Sequence, residues 1–315
     1  MRSLVVVSLI LFLVLMVPLE CCAYETDQFS HRREPISDST ALLDAKVNAT
    51  LADIVRDWHG QRDDWKFVMA VFHRLGGYYW VDKIEEWASE SPDIQRLQTS
   101  RWDSIYQGHP LWASRVAGLF GVGSTIKLNN QLIGSDKLGH FFSQGKKFYR
   151  RYELTHDEAL AAERSAYTER AIFGQMTTGV YSNADLVANY EGYLFYRSLF
   201  EDNIIPGKPA ILAWQDNHWI IQRPFTFADH VNAYWDEALN ISHYDELLYP
   251  YMKPRLMTFC PDYQAAPELW VIEDEQPLQE RYAHLQLRDT SELRLNVLCP
   301  EVASPALREP AKPSD

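Results

Sequence analysis

The chain has 315 residues, and its 43 acidic against 30 basic side chains give a formal net charge of −13. A negative excess of this size argues against nucleic acid and against anionic membrane surfaces as partners, so we predict neither. The length is sufficient for one large or two modest globular domains.

The N-terminus has the layout of a secretory signal. Arg2 precedes an apolar run over residues 4–17, which is shorter than a bilayer span. We predict cleavage after Ala23, so that residues 1–23 are removed and about 292 residues (315 minus 23) form an exported protein, periplasmic or secreted. Lipid anchoring at Cys21 or Cys22, which the neighbouring glutamate disfavours, and an uncleaved membrane anchor remain alternatives.

Two cysteines remain in the mature chain, Cys260 and Cys299. An even pair in an oxidising compartment predicts a disulfide, and neither cysteine has a partner at zinc-finger spacing. The polar residues 24–39 are expected to form a flexible lead-in, and the proline-rich residues 300–315 a disordered tail.

Apolar residues recur at helical spacing through the first third of the chain. The pattern predicts helices over residues 40–58, 63–75, 78–89 and 109–119. Residues 125–128 and 131–133 then flank a two-residue Asn-Asn turn, which favours a β-hairpin. Ser135 follows as the expected N-cap of the next helix.

That helix carries the first of two polar motifs, residues 134–142. Asp136 and His140 are four residues apart and share one face, with Lys137 at its edge. The apolar stripe lies on the opposite side and comprises Leu138, Phe141, Phe142, Gly145, Phe148, Tyr149 and Tyr152. Such a polar face is typical of a solvent-exposed surface, and it becomes a site only if another polar face packs on it.

The second motif, residues 182–192, begins a helix predicted to extend to Phe200. This helix is apolar on almost every side, which is typical of a buried helix. Asp185 and Asn189 nevertheless share one face with Gly192 and Tyr196. Because a buried carboxylate needs partners, we expect this face to meet the first motif.

A connecting helix is predicted over residues 155–175, beginning at a Thr-His-Asp-Glu capping box. Glu163 or Glu169 could join the site from this helix. Salt bridges to Arg164 or Arg170 are the commoner alternative.

After Asn203 the pattern predicts a second hairpin over residues 210–214 and 219–222, and a helix over residues 226–239. A second site is an open alternative here, although acidic residues at helix starts usually serve the helix dipole. Its candidate residues are Asp229, His230, Asp236 and His243.

These elements predict a mainly α protein, an irregular helical bundle with one or two small β-hairpins. Residues 40–203 would form a helical core domain that contains both motifs, and residues 204–299 a C-terminal α+β extension. The predicted helices of the mature chain are too short and too charged to span a membrane.

The two motifs together resemble the two-part signature of VanZ-like proteins and of bacterial envelope lipoproteins of the YfiM kind. The resemblance covers about a fifth of the chain, residues 134–199, and two ordered motifs are more specific than one. It implies a cell-envelope setting and a helical core. The matching residues are Asp136, Lys137, His140 and Phe141 in the first motif and Ser182, Asp185, Asn189 and Gly192 in the second.

One functional hypothesis is a hydrolase that acts on an envelope lipid or glycan. His140 would be the general base, oriented by Asp185 or Asp136, with Lys137 steadying a developing anion and Asn189 beside them. No serine or cysteine nucleophile is marked by a sharp-turn motif, so water would be the nucleophile.

Two other interpretations of the same residues stay open. Asp136, His140 and Asp185 are acceptable metal ligands, but Lys137 beside a bound cation argues against an ion, so we predict neither a metal nor an organic cofactor. Alternatively, the cluster is a buried ion network that pins two helices together in a non-catalytic binding or scaffolding protein.

Overall fold

The computed structural model describes residues 25–77, 81–113, 121–273 and 275–299, and within them the protein is mainly helical with small antiparallel sheets, as predicted. The predicted signal peptide and C-terminal tail lie outside the described residues. The helices are α1 (Thr40–Arg56), α2 (Asp64–Leu75), α3 (Lys83–Glu90), α4 (Asp136–Gly139), α5 (Gly145–Thr155), α6 (Glu158–Thr168), α7 (Gln175–Thr178), α8 (Asn183–Ser198), α9 (Tyr249–Met257), α10 (Cys260–Ala265), α11 (Glu275–Tyr282) and α12 (Leu295–Leu298).

Three small antiparallel sheets accompany the helices in this described part of the chain. Their strands are β1 (Arg96–Leu97), β2 (Thr125–Leu128), β3 (Gln131–Gly134), β4 (Val180–Tyr181), β5 (Leu212–Gln215), β6 (His218–Ile221) and β7 (His243–Tyr244). Both predicted hairpins form, β2–β3 and β5–β6, and their turn residues have the positive φ angles that two-residue turns require. Two short pairings were not predicted, β1 with β2 and β4 with β7.

The first two predicted helices form with boundaries close to those expected, α1 and α2. The third, α3, begins at Lys83, and residues 78–80 of the predicted span lie outside the described part of the chain. Of the helix predicted over 109–119, residues 111–113 are helical and residues 114–120 lie outside that part.

The first motif sits at the start of one long helical segment. α4 continues through a π-helical turn, His140–Gln144, into α5. Asp136 lies in the first turn as predicted, but Ser135 is itself in the αR conformation and makes no capping hydrogen bond. A π-helical turn widens the helix locally and is frequent at functional sites.

The helix α8 runs through the middle of the molecule and packs on this segment. Almost every side chain of α8 is buried, as its all-round apolar character predicted. The backbones come together at Gly192 and Gly145, where a Cβ on Gly192 would stand 1.9 Å from the carbonyl oxygen of Phe141. Only glycine permits so close an approach, and it brings Asp185 and Asn189 against the first motif.

The prediction of a helix over residues 226–239 is wrong. The segment instead contains two short 3₁₀ turns, Phe227–Asp229 and Ala233–Trp235, separated by extended backbone at Asn232. The side chains of Asn232 and Asp236 each accept a hydrogen bond from a backbone N–H two residues ahead. Such local bonds compete with helical hydrogen bonding, and the apolar spacing did not reveal them.

Two further expectations need correction. The lead-in is packed over residues 25–30, which are buried, and Thr26 forms a bridge with Gly123. The helix predicted over 155–175 is capped by Asp157 and passes after α6 into a second π-helical turn, Glu169–Phe173. One hydrophobic core includes residues from both sides of the predicted 203/204 boundary, and the division into a core domain and an extension stays a prediction.

Cys260 and Cys299 form the predicted disulfide, which ties α10 to the end of α12. Within the described ranges, no helix is both long enough and apolar enough to cross a membrane.

Candidate functional site

The two motifs meet around the side chain of Lys137. Its Nζ atom lies 2.7 Å from Asp136 Oδ2, 2.7 Å from Asp185 Oδ1 and 2.9 Å from Glu237 Oε1. The side chain is 1% exposed, and three carboxylates match the three N–H donors of an ammonium group. Lys137 is therefore enclosed and positions its carboxylate neighbours instead of facing a substrate.

His140 lies at the edge of this cluster, held on both sides of its ring. Nε2 is 3.1 Å from Asp185 Oδ2, and Nδ1 is 3.0 Å from Asn189 Oδ1. Asn189 is fixed in turn, because its amide nitrogen donates to Ser165 Oγ. The His140 side chain is 19% exposed, which makes it the most accessible of the five candidate residues.

The five predicted candidates therefore form one cluster, but Asp136 and Asn189 make contacts that differ from those in the hydrolase hypothesis. Asp185 bridges Lys137 and His140, whereas Asp136 binds Lys137. Orienting the imidazole ring falls to Asp185 and Asn189.

The charges of the cluster keep Asp185 ionised. Burial by itself raises the pKa of this carboxyl group, but the neighbouring His140 and Lys137 charges, with a hydrogen bond from Lys137, outweigh burial and lower it. Burial likewise lowers the pKa of Lys137, and the three carboxylates outweigh it, so that pKa is raised well above its ordinary value.

A ring of further buried carboxyl groups surrounds this centre. Burial raises the pKa of Glu237, Glu169 and Glu25, and the negative charge of neighbouring carboxylates raises each further. Ser182 connects Glu237 and Glu169, because its hydroxyl donates to Glu237 and its backbone N–H donates to Glu169. Both π-helical turns thus begin at a residue of this assembly, His140 and Glu169.

Sequence reasoning considered Glu169 as an alternative and missed Glu25 and Glu237. Glu237 is one of two adjacent acidic residues. Tyr234 and Trp235 come directly before this pair, and Ala238 and Leu239 come directly after it. A carboxylate among apolar residues was the signal that identified Asp185, and the same signal was present here.

A second buried polar group adjoins the centre on the side of α3. Ser143 Oγ donates to Asp82 Oδ2, and a Cβ on Gly139 would stand 2.9 Å from Glu85 Oε2. Burial raises the pKa of Asp82 to about 7, against the opposing effects of the Ser143 hydrogen bond and two nearby lysines. The pKa of Glu85 is also raised, first by burial and then by the charges of Asp136 and Asp82.

The second site considered near the C-terminus does not assemble, because its four residues have separate partners. Asp229 pairs with Lys208 and Arg223, His230 with Glu191, Asp236 with Arg32, and His243 with Gln175. The pair of His230 and Glu191 belongs to a separate buried network, in which Arg281 and Tyr282 also bind the Glu191 carboxylate.

The centre offers two kinds of chemistry. The accessible imidazole can transfer protons, and Asp136, His140 and Asp185 each offer one ligand atom within 4.8 Å of the others. A pocket of about 780 Å³ lies elsewhere, beside β7, and none of the five candidate residues lines it.

Comparison with known proteins adds no assignment: no protein-family model, no curated protein and no solved structure matches this chain.

Proposed function

We propose that this chain is an exported hydrolase that acts on a lipid or glycan of the bacterial cell envelope, with water as the nucleophile. The observation that carries the proposal is the placement of His140. Its ring is fixed by Asp185 and Asn189, and it is the accessible member of an otherwise buried ion network. The envelope setting comes from the resemblance of the two motifs and from the apolar N-terminal run.

In this proposal His140 carries the proton. Hydrolysis requires a group that takes a proton from water and returns it to the leaving group, and imidazole does so near neutral pH. Asn189 holds Nδ1, so Nε2 exchanges the proton with water in place of its contact with Asp185 Oδ2. Asp185, kept ionised by its neighbours, stabilises the protonated ring. Lys137 acts indirectly by fixing Asp185 and Asp136.

The test uses isolated envelope lipid and glycan fractions as substrates. The mature chain is incubated with each fraction, and new products are identified by mass spectrometry. We expect a product that His140→Gln abolishes and that the control His218→Gln leaves unchanged, since His218 is exposed on a different element, β6. Equal product from His140→Gln would reject the assignment of His140.

A non-catalytic binding or scaffolding role is the second candidate, and the enclosure of Lys137 favours it. A network whose purpose is to join helices needs no accessible group. If neither fraction yields a product with the wild-type chain, the scaffolding role is preferred.

The exported state has its own test. We expect the mature protein to begin at Tyr24 without lipid, which N-terminal sequencing and intact mass would establish. Fatty-acid labelling that depends on Cys21 or Cys22 would instead place the protein on a membrane.

A further inference from the structure

We propose that Asp136, His140 and Asp185 form a binding site for one divalent transition-metal ion of the Zn²⁺ kind. The proposal rests on the hydrolase function in one respect only, that this centre is where water is activated. Ion binding itself is measured independently of any substrate.

The donor set and its spacing suit such an ion. One imidazole nitrogen and two carboxylate oxygens lie within 4.8 Å of one another. Zn²⁺ binds these atoms at about 2.0–2.2 Å in a tetrahedral arrangement, in which two ligand atoms lie about 3.3–3.6 Å apart. The ligand atoms would therefore have to approach one another by up to about 1.5 Å to complete the site. Imidazole favours Zn²⁺ over the oxygen-seeking Mg²⁺ and Ca²⁺.

His140 is already oriented as a metal-binding histidine. Histidines that bind metals usually donate their other ring N–H to a fixed acceptor, which sets the tautomer. Here Asn189 Oδ1 accepts from Nδ1 at 3.0 Å, and Asn189 is anchored by Ser165. With the proton on Nδ1, Nε2 is free to bind an ion in place of its contact with Asp185.

A buried carboxylate oxygen without a partner is the second observation. Asp136 is 8% exposed, and its Oδ1 atom has no hydrogen-bond partner in the described residues. The other oxygen of this carboxylate, Oδ2, is the one that pairs with Lys137. A buried carboxylate oxygen is costly without a proton, donor or cation.

The position of Lys137 is compatible with a bound metal ion. From the sequence, Lys137 was expected to lie beside the ion and to repel it. Instead its ammonium pairs with Asp136 Oδ2 and Asp185 Oδ1, which leaves Asp136 Oδ1 for a ligand and Asp185 Oδ2 in contact with His140. Lys137, Asp136, Asp185 and Glu237 alone carry a net charge of −2 when ionised, which a divalent cation would balance.

The partial exposure of His140 supplies access for the ion and for water. Catalytic zinc sites keep three protein ligands and one open position. The donor count here is three, and the opening lies on the His140 side because the other two ligands are buried.

The experiment is titration calorimetry of the full mature chain with Zn²⁺. The chain is purified without a histidine tag and stripped with a chelator. We expect one Zn²⁺ per chain, with affinity reduced at least about 10-fold in His140→Gln and in Asp136→Asn. The control His218→Gln, at an exposed histidine, should leave affinity unchanged. Circular dichroism establishes that each variant is folded.

Three results would overturn the inference: no stoichiometric Zn²⁺ binding by the wild type, equal binding by both site variants, or equal loss in the control. If Asp136→Asn fails to fold, X-ray absorption of the wild type decides, because the inferred site predicts one imidazole and otherwise oxygen donors.

The inference and the proposed function can fail separately. An ion at Nε2 would take over the activation of water from His140. Zn²⁺ binding at the centre without product from any envelope fraction would reject the hydrolase alone. A stripped chain that forms product through His140 and binds no Zn²⁺ would reject the metal site alone.

Discussion

Asn189 Oδ1 lies 3.0 Å from His140 Nδ1, so two motifs that are 49 residues apart in sequence meet at one imidazole ring. The contact depends on the close crossing of α8 over the first motif. It fixes the ring whether His140 transfers protons or binds an ion. The contribution of such contacts to the free energy of unfolding can be measured with double-mutant cycles.

The first prediction concerns coupling between His140 and Asp185. Asp185→Ala removes a partner of both Lys137 and His140 and should cost about 3–5 kcal/mol of stability. His140→Ala, at the more exposed position, should cost about 1–2 kcal/mol. Urea unfolding in a double-mutant cycle should give a coupling above about 0.5 kcal/mol.

The control for this cycle pairs His140→Ala with Asp64→Ala, since Asp64 contacts the exposed Arg62 and shares no partner with His140. Those two effects should add to within about 0.5 kcal/mol. Additive behaviour of His140 and Asp185 would mean that these two side chains do not touch in solution.

The second prediction is that Lys137→Met lowers the free energy of unfolding more than a typical surface substitution does. Three buried carboxylates would lose their shared cation, and breaking a buried pair costs about 3–5 kcal/mol. Lys66→Met is the control, because Lys66 is exposed, and it should change the free energy of unfolding by less than about 0.5 kcal/mol. Similar losses in the two variants would contradict the enclosure of Lys137.

The sequence was sufficient to predict that the motifs meet. A carboxylate on a helix that is apolar all round, Asp185, has to find partners, and the four-residue spacing of Asp136 and His140 placed those partners on one face. Both hairpins were also predictable, because their turns carry the residues that positive φ angles favour.

The convergence of the remaining carboxylates could not be predicted from the sequence, for a physical reason. Glu25 precedes the first predicted helix, and Glu237 lies in a segment whose apolar spacing favoured a helix that does not form, yet its side chain reaches Lys137 from 100 positions away. Side-chain to backbone hydrogen bonds shape the segment around Glu237, and they are invisible to apolar spacing. Long-range packing of such segments decides which carboxylates converge.

The third prediction tests the helix crossing. A Cβ at Gly192 would meet backbone of the facing segment, so Gly192→Ala should separate the helices and cost about 1–3 kcal/mol, measured by thermal unfolding. A Cβ at Gly145 would stand 2.6 Å from the Cα of Gly192. Both substitutions push the same two helices apart, so the double variant should lose less than the sum of the single losses. Strict additivity would argue against a shared crossing.

The fourth prediction concerns the disulfide between Cys260 and Cys299, which are separated by 39 positions. Replacing both with serine should lower stability by about 3–4.7 kcal/mol on the chain-entropy estimate. The variant is compared with the wild type in urea, with and without reductant. Reductant should destabilise the wild type and leave the variant unchanged, whereas free thiols in the unreduced wild type would contradict the pairing.

The last prediction uses Asp82, whose pKa is about 7 in the folded protein against an ordinary value of 3.8. Between those values the folded state binds a proton that the unfolded state has released, so stability falls as pH rises from about 4 to about 7 and then levels off. The difference in pKa corresponds to roughly 4 kcal/mol over that interval.

Asp82→Asn keeps an acceptor for the Ser143 hydroxyl and removes this titration. Urea unfolding between about pH 4.5 and 8 covers most of the interval between these two pKa values. The free energy of unfolding should therefore decline less steeply with pH for the variant than for the wild type. Because the raised pKa values of Glu25, Glu85 and Glu169 act in the same direction in both proteins, the decline should not vanish. Parallel curves for the two proteins would mean that Asp82 does not carry this proton.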